Sequence, residues 1–243
     1  MVITFSDLGK SGRLGNAMFQ IAATVALALR NNDSYQFPNT WQYKHNFNLP
    51  NECFVNRISI ANNYSEPNFT YNDIPYSPNL NLSGYFQSYK QFESHKEEIK
   101  RLLTPNIKVN KQNYTSMHIR RTDYLTHKNC FNILTRANYY DHALVASGGS
   151  KFLIFSDEMG WAKQNFTGNE FDFAEGNDAI TDLSLMLNCG GGNIIANSSF
   201  SWWGAWLNDS ENKQVIYPRV WFGPELAKVN DIKDLCPIDW IRI

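Results

Sequence analysis

The sequence predicts an α/β fold made up of two lobes, and three observations lead to this prediction. Short apolar segments alternate with amphipathic segments along residues 114–217, which is the pattern of parallel βαβ units. A strand-like segment and a helix-like segment also begin the chain, with a glycine-containing loop between them. The composition changes near residues 105–113, between these two regions. We therefore place a lobe boundary there and divide the chain into residues 1–108 and residues 109–243.

The N-terminal lobe begins with a buried strand and an amphipathic helix. Residues 2–5 are apolar, as in a short strand, and after the loop apolar residues recur every three or four positions. This spacing places the following residues on one helix face: Leu14, Met18, Ile21, Val25 and Leu29. Residues 31–83 are rich in Asn, Pro and aromatic side chains without periodicity, so we expect loops and short elements there. Residues 90–103 resemble a helix that ends before Pro105, because proline disfavours α geometry in the preceding residue.

The C-terminal lobe alternates strands with helices. Its apolar segments predict strands at residues 114–120, 151–155, 193–196 and 214–217. Amphipathic segments between them predict helices at residues 137–146, 180–187 and 200–207. The sheet of this lobe is therefore expected to be parallel, and ligands of parallel sheets bind beyond the carboxyl ends of the strands.

Charge and cysteine content limit the classes of function. The 22 Lys and Arg against 23 Asp and Glu give a net charge of -1, so nothing favours nucleic acid or anionic membranes as general partners. The four cysteines in 243 residues are widely spaced, which predicts buried free thiols rather than a disulfide framework. No segment has the features of a signal peptide or the roughly 20 apolar residues of a membrane span. We expect a cytoplasmic protein, with peripheral association at a membrane left open.

The first stretch that suggests a ligand is Gly-Arg-Leu-Gly-Asn-Ala-Met-Phe-Gln, residues 12–20. Glycines between a strand and a helix let backbone N–H groups come close to a ligand. The spacing of Gly9, Gly12 and Gly15 does not fit the dinucleotide fingerprint, and a P-loop would need its first glycine at Thr4. A purely structural turn is the alternative.

The second stretch, His-Ile-Arg-Arg-Thr-Asp at residues 118–123, leaves the end of a predicted strand. Strand alternation would place His118 and Arg120 on one face and Arg121 on the other. One guanidinium could hold a diphosphate while the carboxylate of Asp123 holds the other. A surface cluster of salt bridges is the alternative.

The third stretch, residues 194–207, is a buried strand that leads directly into a helix. Ser198 or Ser199 occupies the N-cap position, where free N–H groups and the helix dipole attract an anion. The tryptophans at helical spacing predict core packing, with a sugar-binding wall as the alternative: Trp202, Trp203 and Trp206.

Two carboxylates are candidates for binding a guanine base. A carboxylate can accept both hydrogen bonds offered by the N1–H and amino edge of guanine. Asp182 lies at the start of a predicted helix, so the alternative is a helix cap. Asp157, in the Ser-Asp-Glu that follows a predicted strand, is the next candidate.

Taken together, these stretches resemble the α-1,2-fucosyltransferases, glycosyltransferase family 11. The resemblance rests on Gly-Arg-Leu-Gly-Asn-x-Met-Phe-Gln, His-Ile-Arg-Arg-x-Asp-Tyr, Phe-Ser-Asp and Ala-Asn-Ser-Ser-Phe-Ser-Trp-Trp-Gly-Ala-Trp-Leu, in that order. It covers residues 1–30 and 114–220 and is weak across 31–113, and Ala17 stands where the family usually has glutamine. It implies two Rossmann-like lobes of GT-B type and inverting, metal-independent transfer of L-fucose from GDP-fucose to a galactoside hydroxyl. The acceptor would be a galactose-terminated oligosaccharide.

The resemblance also implies roles for individual residues. Arg120 would hold the β-phosphate and the glycosidic oxygen, and the N-terminal lobe would bind the acceptor while the C-terminal lobe binds the GDP-sugar. Because the chain has no metal-binding motif, we expect Arg120, assisted by His118, to stabilise the leaving group. Asp182 would bind guanine, and Gly15 and Asn16 would close over the fucose. The full set of expected donor-binding residues is Gly15, Asn16, Arg121, Asp123, Asp182, Ser198, Ser199 and Phe200.

Other features leave alternatives open. The chain has no Asp-x-Asp motif, only Glu170-Phe-Asp172, and its histidines lack zinc-like spacing, so we expect no metal and no other cofactor. The general base is unassigned, with Asp7 and Asp123 as candidates. A transferase for another nucleotide sugar or linkage, or an inactive carbohydrate-binding homologue, are the competing functions.

Overall fold

A computed structural model describes residues 1–107, 109, 113–211 and 213–243 of the chain. It contains two compact units. Unit 1 consists of Met1–Asn106 with Asp231–Pro237, and unit 2 consists of Ile107–Asn230 with Ile238–Ile243. Lys108, at the lobe boundary predicted from the sequence, lies outside the described residues. Each unit is built around a parallel sheet with helices, which confirms the expected α/β fold of two Rossmann-like lobes.

Unit 1 contains a five-stranded parallel sheet. Its strands and α-helices are β1 (Val2–Thr4), α1 (Leu14–Arg30), β2 (Ser34–Pro38), β3 (Phe54–Val55), β4 (Asn62–Ser65), β5 (Leu80–Ser83) and α2 (Lys96–Leu103). The strand order is β3-β2-β1-β5-β4, and each pair is parallel. Strand β1 is central and leads through the glycine-containing loop into α1, as predicted. Most of α1 is buried, because apolar and small residues dominate it on all sides.

The segment after β5 differs from the expectation of one helix over residues 90–103. Tyr89–Gln91 and Glu93–His95 are 3₁₀ turns, and only Lys96–Leu103 is α-helical. Phe92, between the turns, is fully buried and has φ −135°, outside the helical region. The backbone therefore leaves helical geometry at Phe92.

Unit 2 contains a six-stranded parallel sheet in the order β11-β10-β9-β6-β7-β8. Its strands and α-helices are β6 (Thr115–Ile119), α3 (Thr122–Thr126), α4 (Asp141–Ser147), β7 (Phe152–Ser156), α5 (Met159–Asn165), β8 (Phe171–Phe173), α6 (Ala179–Leu187), β9 (Asn193–Ile194), α7 (Ser199–Leu207), β10 (Val215–Tyr217) and β11 (Ile241–Arg242). The four predicted strands are β6, β7, β9 and β10. The helix predicted at residues 137–146 is a π-helical turn, Arg136–Tyr140, followed by α4.

Aromatic residues form much of the core of unit 2. Trp202 and Trp203 are fully buried, and Trp206 stacks on Trp202 with ring centroids 5.9 Å apart, so the predicted core role is confirmed. All four cysteines are free thiols; Cys130 is partly exposed and the other three are buried. Among the described residues, no helix has the length and apolarity needed to cross a membrane.

Candidate functional site

The predicted motifs of unit 2 lie at the carboxyl ends of neighbouring strands. Central strand β6 is fully buried and pairs with β7 on one side and β9 on the other. Arg120 and Arg121 follow β6, Asp157 follows β7, and Ser198 follows shortly after β9. Carboxyl ends of parallel strands share one sheet edge, which is where ligands bind in α/β folds.

Arg120 is held between two carboxylates. One terminal nitrogen, Nη2, lies 2.5 Å from Oδ1 of Asp123, and the other, Nη1, lies 2.9 Å from Oδ2 of Asp157. The guanidinium also lies 5.5 Å from the ring centroid of Tyr124. With only 13% of the side chain exposed, these contacts fix its orientation. Asp123 therefore orients Arg120, and its place as a base candidate stays a prediction.

Asp157 organises the chain where β6 passes into α3. Its Oδ1 accepts the backbone N–H of Arg121 at 2.9 Å, and its Oδ2 accepts the Thr122 hydroxyl at 2.6 Å as well as Arg120. Both oxygens already accept hydrogen bonds within the protein. The structure thus gives Asp157 the task of holding the arginine segment, rather than that of a second guanine-binding carboxylate.

Arg121 has its own carboxylate. Its Nε donates to Oε2 of Glu158 at 2.7 Å, and its guanidinium carbon lies 3.9 Å from the ring centroid of Trp161. Asp123 holds one of the two arginines, Arg120, as expected, but the pairing of Arg121 with Glu158 was not foreseen. The Ser-Asp-Glu segment after β7 supplies two carboxylates at the neighbouring strand end, which the chain order alone did not reveal.

His118 is buried on β6 and connects that strand to α7. Its Nδ1 lies 2.8 Å from the hydroxyl of Ser201, whose oxygen is 3.4 Å from the carbonyl of Ser198. Burial lowers the pKa of His118 to about 4; the charge of Arg120 lowers this pKa as well, while that of Asp157 raises it. His118 is therefore neutral near pH 7, which suits a hydrogen-bonding role.

The N-terminus of α7 matches the prediction. Ser198 is the N-cap, and its hydroxyl accepts the backbone N–H of Phe200 at 3.4 Å. Ser199 is the first helical residue, and all three of these residues are partly exposed. Buried Asn197 donates from Nδ2 to the carbonyls of Asn132, at 2.9 Å, and Trp221, at 2.7 Å, and so positions the entry to the helix.

Asp182 is not the cap of its helix. The N-cap of α6 is Asp178, whose carboxylate accepts the Thr181 N–H at 2.7 Å, and Asp182 lies one turn further along. The cap interpretation of Asp182 was therefore wrong. Asp182 is half-buried and accepts one bond, from Nδ2 of Asn177 at 3.0 Å. Burial raises its pKa, the Asn177 hydrogen bond lowers it, and the charge of Asp178 raises it further.

The remaining predicted residues lie in unit 1. Gly15 and Asn16 are in the first turn of α1, and Oδ1 of Asn16 accepts from Nε2 of Gln87 at 2.8 Å. Gly12 has φ +81°, and a Cβ there would lie 2.0 Å from Nδ2 of Asn16, so this position requires glycine. Asp7 is exposed and pairs with Lys10 at 2.7 Å. A shared role of Gly15 and Asn16 with the arginines stays a prediction.

The sequence interpretation missed Glu158 and Ser201 as partners of the motif residues. Both lie inside stretches that had already been singled out. Because Glu158 follows a strand parallel to the one that precedes Arg121, the strand order could have suggested this pairing. Ser201 lies on the same helix turn as the N-cap, and its contact with His118 has no local sequence signal.

Comparison with known proteins decides the family. The model of the family described as Glycosyl transferase family 11 matches residues 4–243. The chain belongs to this family. Two curated relatives from Escherichia coli agree: an alpha-1,2-colitosyltransferase, 30% identical over 96% of this chain and 97% of its own length, and the O-antigen biosynthesis glycosyltransferase WbnK, 30% identical over 96% and 98%. The resemblance seen in the motifs is confirmed, and the protein is a glycosyltransferase.

Proposed function

We propose that this glycosyltransferase moves L-fucose from GDP-fucose to a hydroxyl of a galactoside, with inversion at the anomeric carbon and without a metal ion. The observation that carries the proposal is the arrangement of Arg120 at the carboxyl end of β6, in the same unit as the serine-capped N-terminus of α7.

Arg120 is suited to assist the leaving group. Breaking the bond between the sugar and the diphosphate leaves negative charge on GDP, and a fixed cation stabilises that charge as it develops. A guanidinium has five N–H donors, and Asp123 and Asp157 engage one nitrogen each, Nη2 and Nη1. The two carboxylates fix the orientation of Arg120, which reduces the reorganisation needed during reaction.

The N-terminus of α7 offers a second set of donors for the diphosphate. The helix dipole and the N–H groups of the first helical turn favour an anion there, and the hydroxyls of Ser198 and Ser199 can donate without adding charge. His118 supports this turn through Ser201 rather than as a charged group, because its pKa of about 4 keeps it neutral.

Asp182 supports guanine as the base of the donor. Its Oδ1 bonds to Asn177, and its Oδ2 has no hydrogen-bond partner among the described residues. A half-buried carboxylate of this kind gains from the paired N1–H and amino donors of guanine. Adenine and uracil do not offer that pair.

Transfer of colitose is a second candidate, because one relative is named an alpha-1,2-colitosyltransferase. Colitose is L-fucose without its 3-hydroxyl group, so both sugars would make the same contacts except at that position. The choice between them depends on whether the protein hydrogen-bonds that hydroxyl.

The test is a donor screen with the purified protein and lactose as acceptor. GDP-fucose, GDP-colitose, GDP-mannose and UDP-galactose are compared, with and without EDTA, and the linkage of the product is assigned by NMR. We expect α-1,2 transfer from GDP-fucose that survives EDTA, and loss of turnover in Arg120→Ala but not in the surface control Arg136→Ala. Transfer from GDP-colitose alone would select the second candidate. Transfer from the UDP-sugar alone, or a strict metal requirement, would refute the proposal.

A further inference from the structure

Glu66, in the region where motif resemblance is weak, occupies a position typical of ligand-binding residues. It directly follows β4 at the carboxyl edge of the unit 1 sheet, and its backbone N–H donates to the carbonyl of Ser83 at 2.8 Å. The neighbouring strand, β5, ends beside Glu66. Ligands of parallel sheets bind at this edge.

The turn after β5 is built around the Glu66 carboxylate. Its Oε2 accepts the backbone N–H groups of Tyr85, at 2.7 Å, and Phe86, at 3.0 Å. Phe86 is buried with φ +52°, an uncommon backbone conformation for a large side chain. Gly84 has φ +143°, and a Cβ there would lie 2.5 Å from Cβ of Glu66. Only glycine therefore allows the carboxylate to lie against the turn.

The glycine-rich stretch of α1 supports the same turn. Nε2 of Gln20 donates to the carbonyl of Gly84 at 3.0 Å, and Asn16 accepts from Gln87 at 2.8 Å. Residues 84–87 are thus held on one side by Glu66 and on the other by α1. Backbone strain held in place by surrounding contacts is a feature of binding sites.

One carboxylate oxygen is left over. Oε1 of Glu66 has no hydrogen-bond partner among the described residues. It is also not buried among them, so it is accessible to solvent. Burial raises the pKa of Glu66, although its hydrogen bonds from Phe86 and Tyr85 lower it. Tyr85, whose backbone N–H donates to Oε2 of Glu66, is an exposed residue.

We propose that Glu66 and residues 84–87 form the acceptor-binding site of unit 1, in which Oε1 accepts hydrogen bonds from hydroxyl groups of a neutral sugar and Tyr85 offers its ring. A carboxylate accepts hydroxyl hydrogens and repels phosphate, so this site suits the acceptor and not a nucleotide donor. The inference rests on the proposed glycosyl transfer and assigns acceptor recognition to named residues.

Saturation-transfer NMR with methyl β-galactoside, methyl β-glucoside and methyl β-N-acetylglucosaminide tests this site without a donor. The wild-type protein is expected to bind at least one of them. Glu66→Gln keeps the side-chain size but removes the charge, and we expect affinity for that glycoside to fall about 10-fold or more. Glu97→Gln, an exposed glutamate of α2, is the matched control and should bind as wild type.

Calorimetric titration with GDP shows whether each variant keeps a folded donor site. If Glu66→Gln loses GDP binding as well, Tyr85→Ala decides, because it leaves the backbone hydrogen bonds to Glu66 in place; it should weaken glycoside binding alone. Glycoside affinity equal to wild type in both variants, or no binding of any glycoside by the wild type, would overturn the inference. The donor screen fails or succeeds independently of these measurements.

Discussion

Replacing Asp157 by Asn tests whether this carboxylate holds the arginine segment together. The substitution keeps an oxygen for the Arg121 N–H but removes the charge that faces Arg120 at 2.9 Å. It also places an amide donor near the Thr122 hydroxyl, which can rotate to accept. The loss therefore falls mainly on the contact with Arg120.

The magnitude follows from burial. The Arg120 and Asp157 side chains are 13% and 18% exposed, between the surface case and the buried case. Exposed pairs contribute about 0–1 kcal/mol, whereas breaking a buried pair costs roughly 3–5 kcal/mol. We expect unit 2 to lose about 2 kcal/mol of unfolding free energy, a fall in Tm of roughly 4–8 °C for a chain of this size.

The matched control is Asp141→Asn. Asp141 also pairs with an arginine, Arg136, at 2.7 Å, but its side chain is 46% exposed. Its loss should change the unfolding free energy by less than about 0.5 kcal/mol. Thermal unfolding followed by circular dichroism, together with turnover on the preferred GDP-sugar, compares the two variants. Equal melting temperatures and equal turnover would show that Asp157 does not organise Arg120, and the reasoning would be refuted.

The remaining predictions concern Arg120, Asp182 and His118. Arg120→Ala should lower kcat far more than it weakens GDP binding, because the interaction of the cation with the leaving group strengthens as charge develops. Turnover assays measure kcat, and calorimetry measures GDP affinity. A collapse of GDP affinity with kcat preserved would contradict this prediction. Asp182→Asn should weaken GDP strongly while ADP stays weak, since one acceptor oxygen becomes a donor; unchanged GDP affinity would exclude guanine binding by Asp182. The pKa of His118 is lowered to about 4 in the folded protein, so between pH 6.5 and pH 4 the unfolded state binds more protons than the folded state. The free energy of unfolding therefore decreases as pH falls through this window, by about 2 kcal/mol at pH 5. Denaturant titrations at pH 7 and pH 5 should show a smaller loss in His118→Asn, and an identical loss would argue against a buried neutral histidine.

The sequence predicts unit 2 better than unit 1 because the two sheets differ in local signal. Strand β7 reads Phe-Leu-Ile-Phe-Ser and is almost fully buried, so its apolar run identifies it. Strand β4 reads Asn-Asn-Tyr-Ser and is mostly exposed, so its pairing with β5 depends on tertiary contacts that no short window contains.

The return of the chain to unit 1 has no local signal either. Asp234 lies in the segment Asp231–Pro237. Its carboxylate accepts hydrogen bonds from Nζ of Lys90, at 2.6 Å, and from the backbone N–H of Tyr71, at 3.1 Å. The residues of the first of these contacts are 144 positions apart, and neither stands out in its own neighbourhood. A division of the chain by composition cannot detect such a contact.

At the start of α6, the sequence interpretation placed the possible helix cap one turn too late. Both Asp178 and Asp182 precede apolar helical residues, and the sequence interpretation considered a cap only at Asp182. The N-cap is the last residue with extended geometry before the helix, and in α6 this residue is Asp178. This difference frees Asp182 for a ligand, so the corrected cap supports the proposed role of Asp182 more than the original interpretation did.

The charges around the arginines bear on how the site can work. Arg120 and Arg121 lie among three carboxylates, those of Asp123, Asp157 and Glu158, so the cluster offers no surplus of positive charge. Under the proposed function, affinity for a diphosphate would then come largely from the neutral donors at the N-terminus of α7. In the proposed reaction Arg120 would act mainly on the transition state, because its orientation is already set by the carboxylates and its benefit would grow as the leaving oxygen becomes charged. This division of labour is the reason to expect that removing Arg120 affects turnover more than binding.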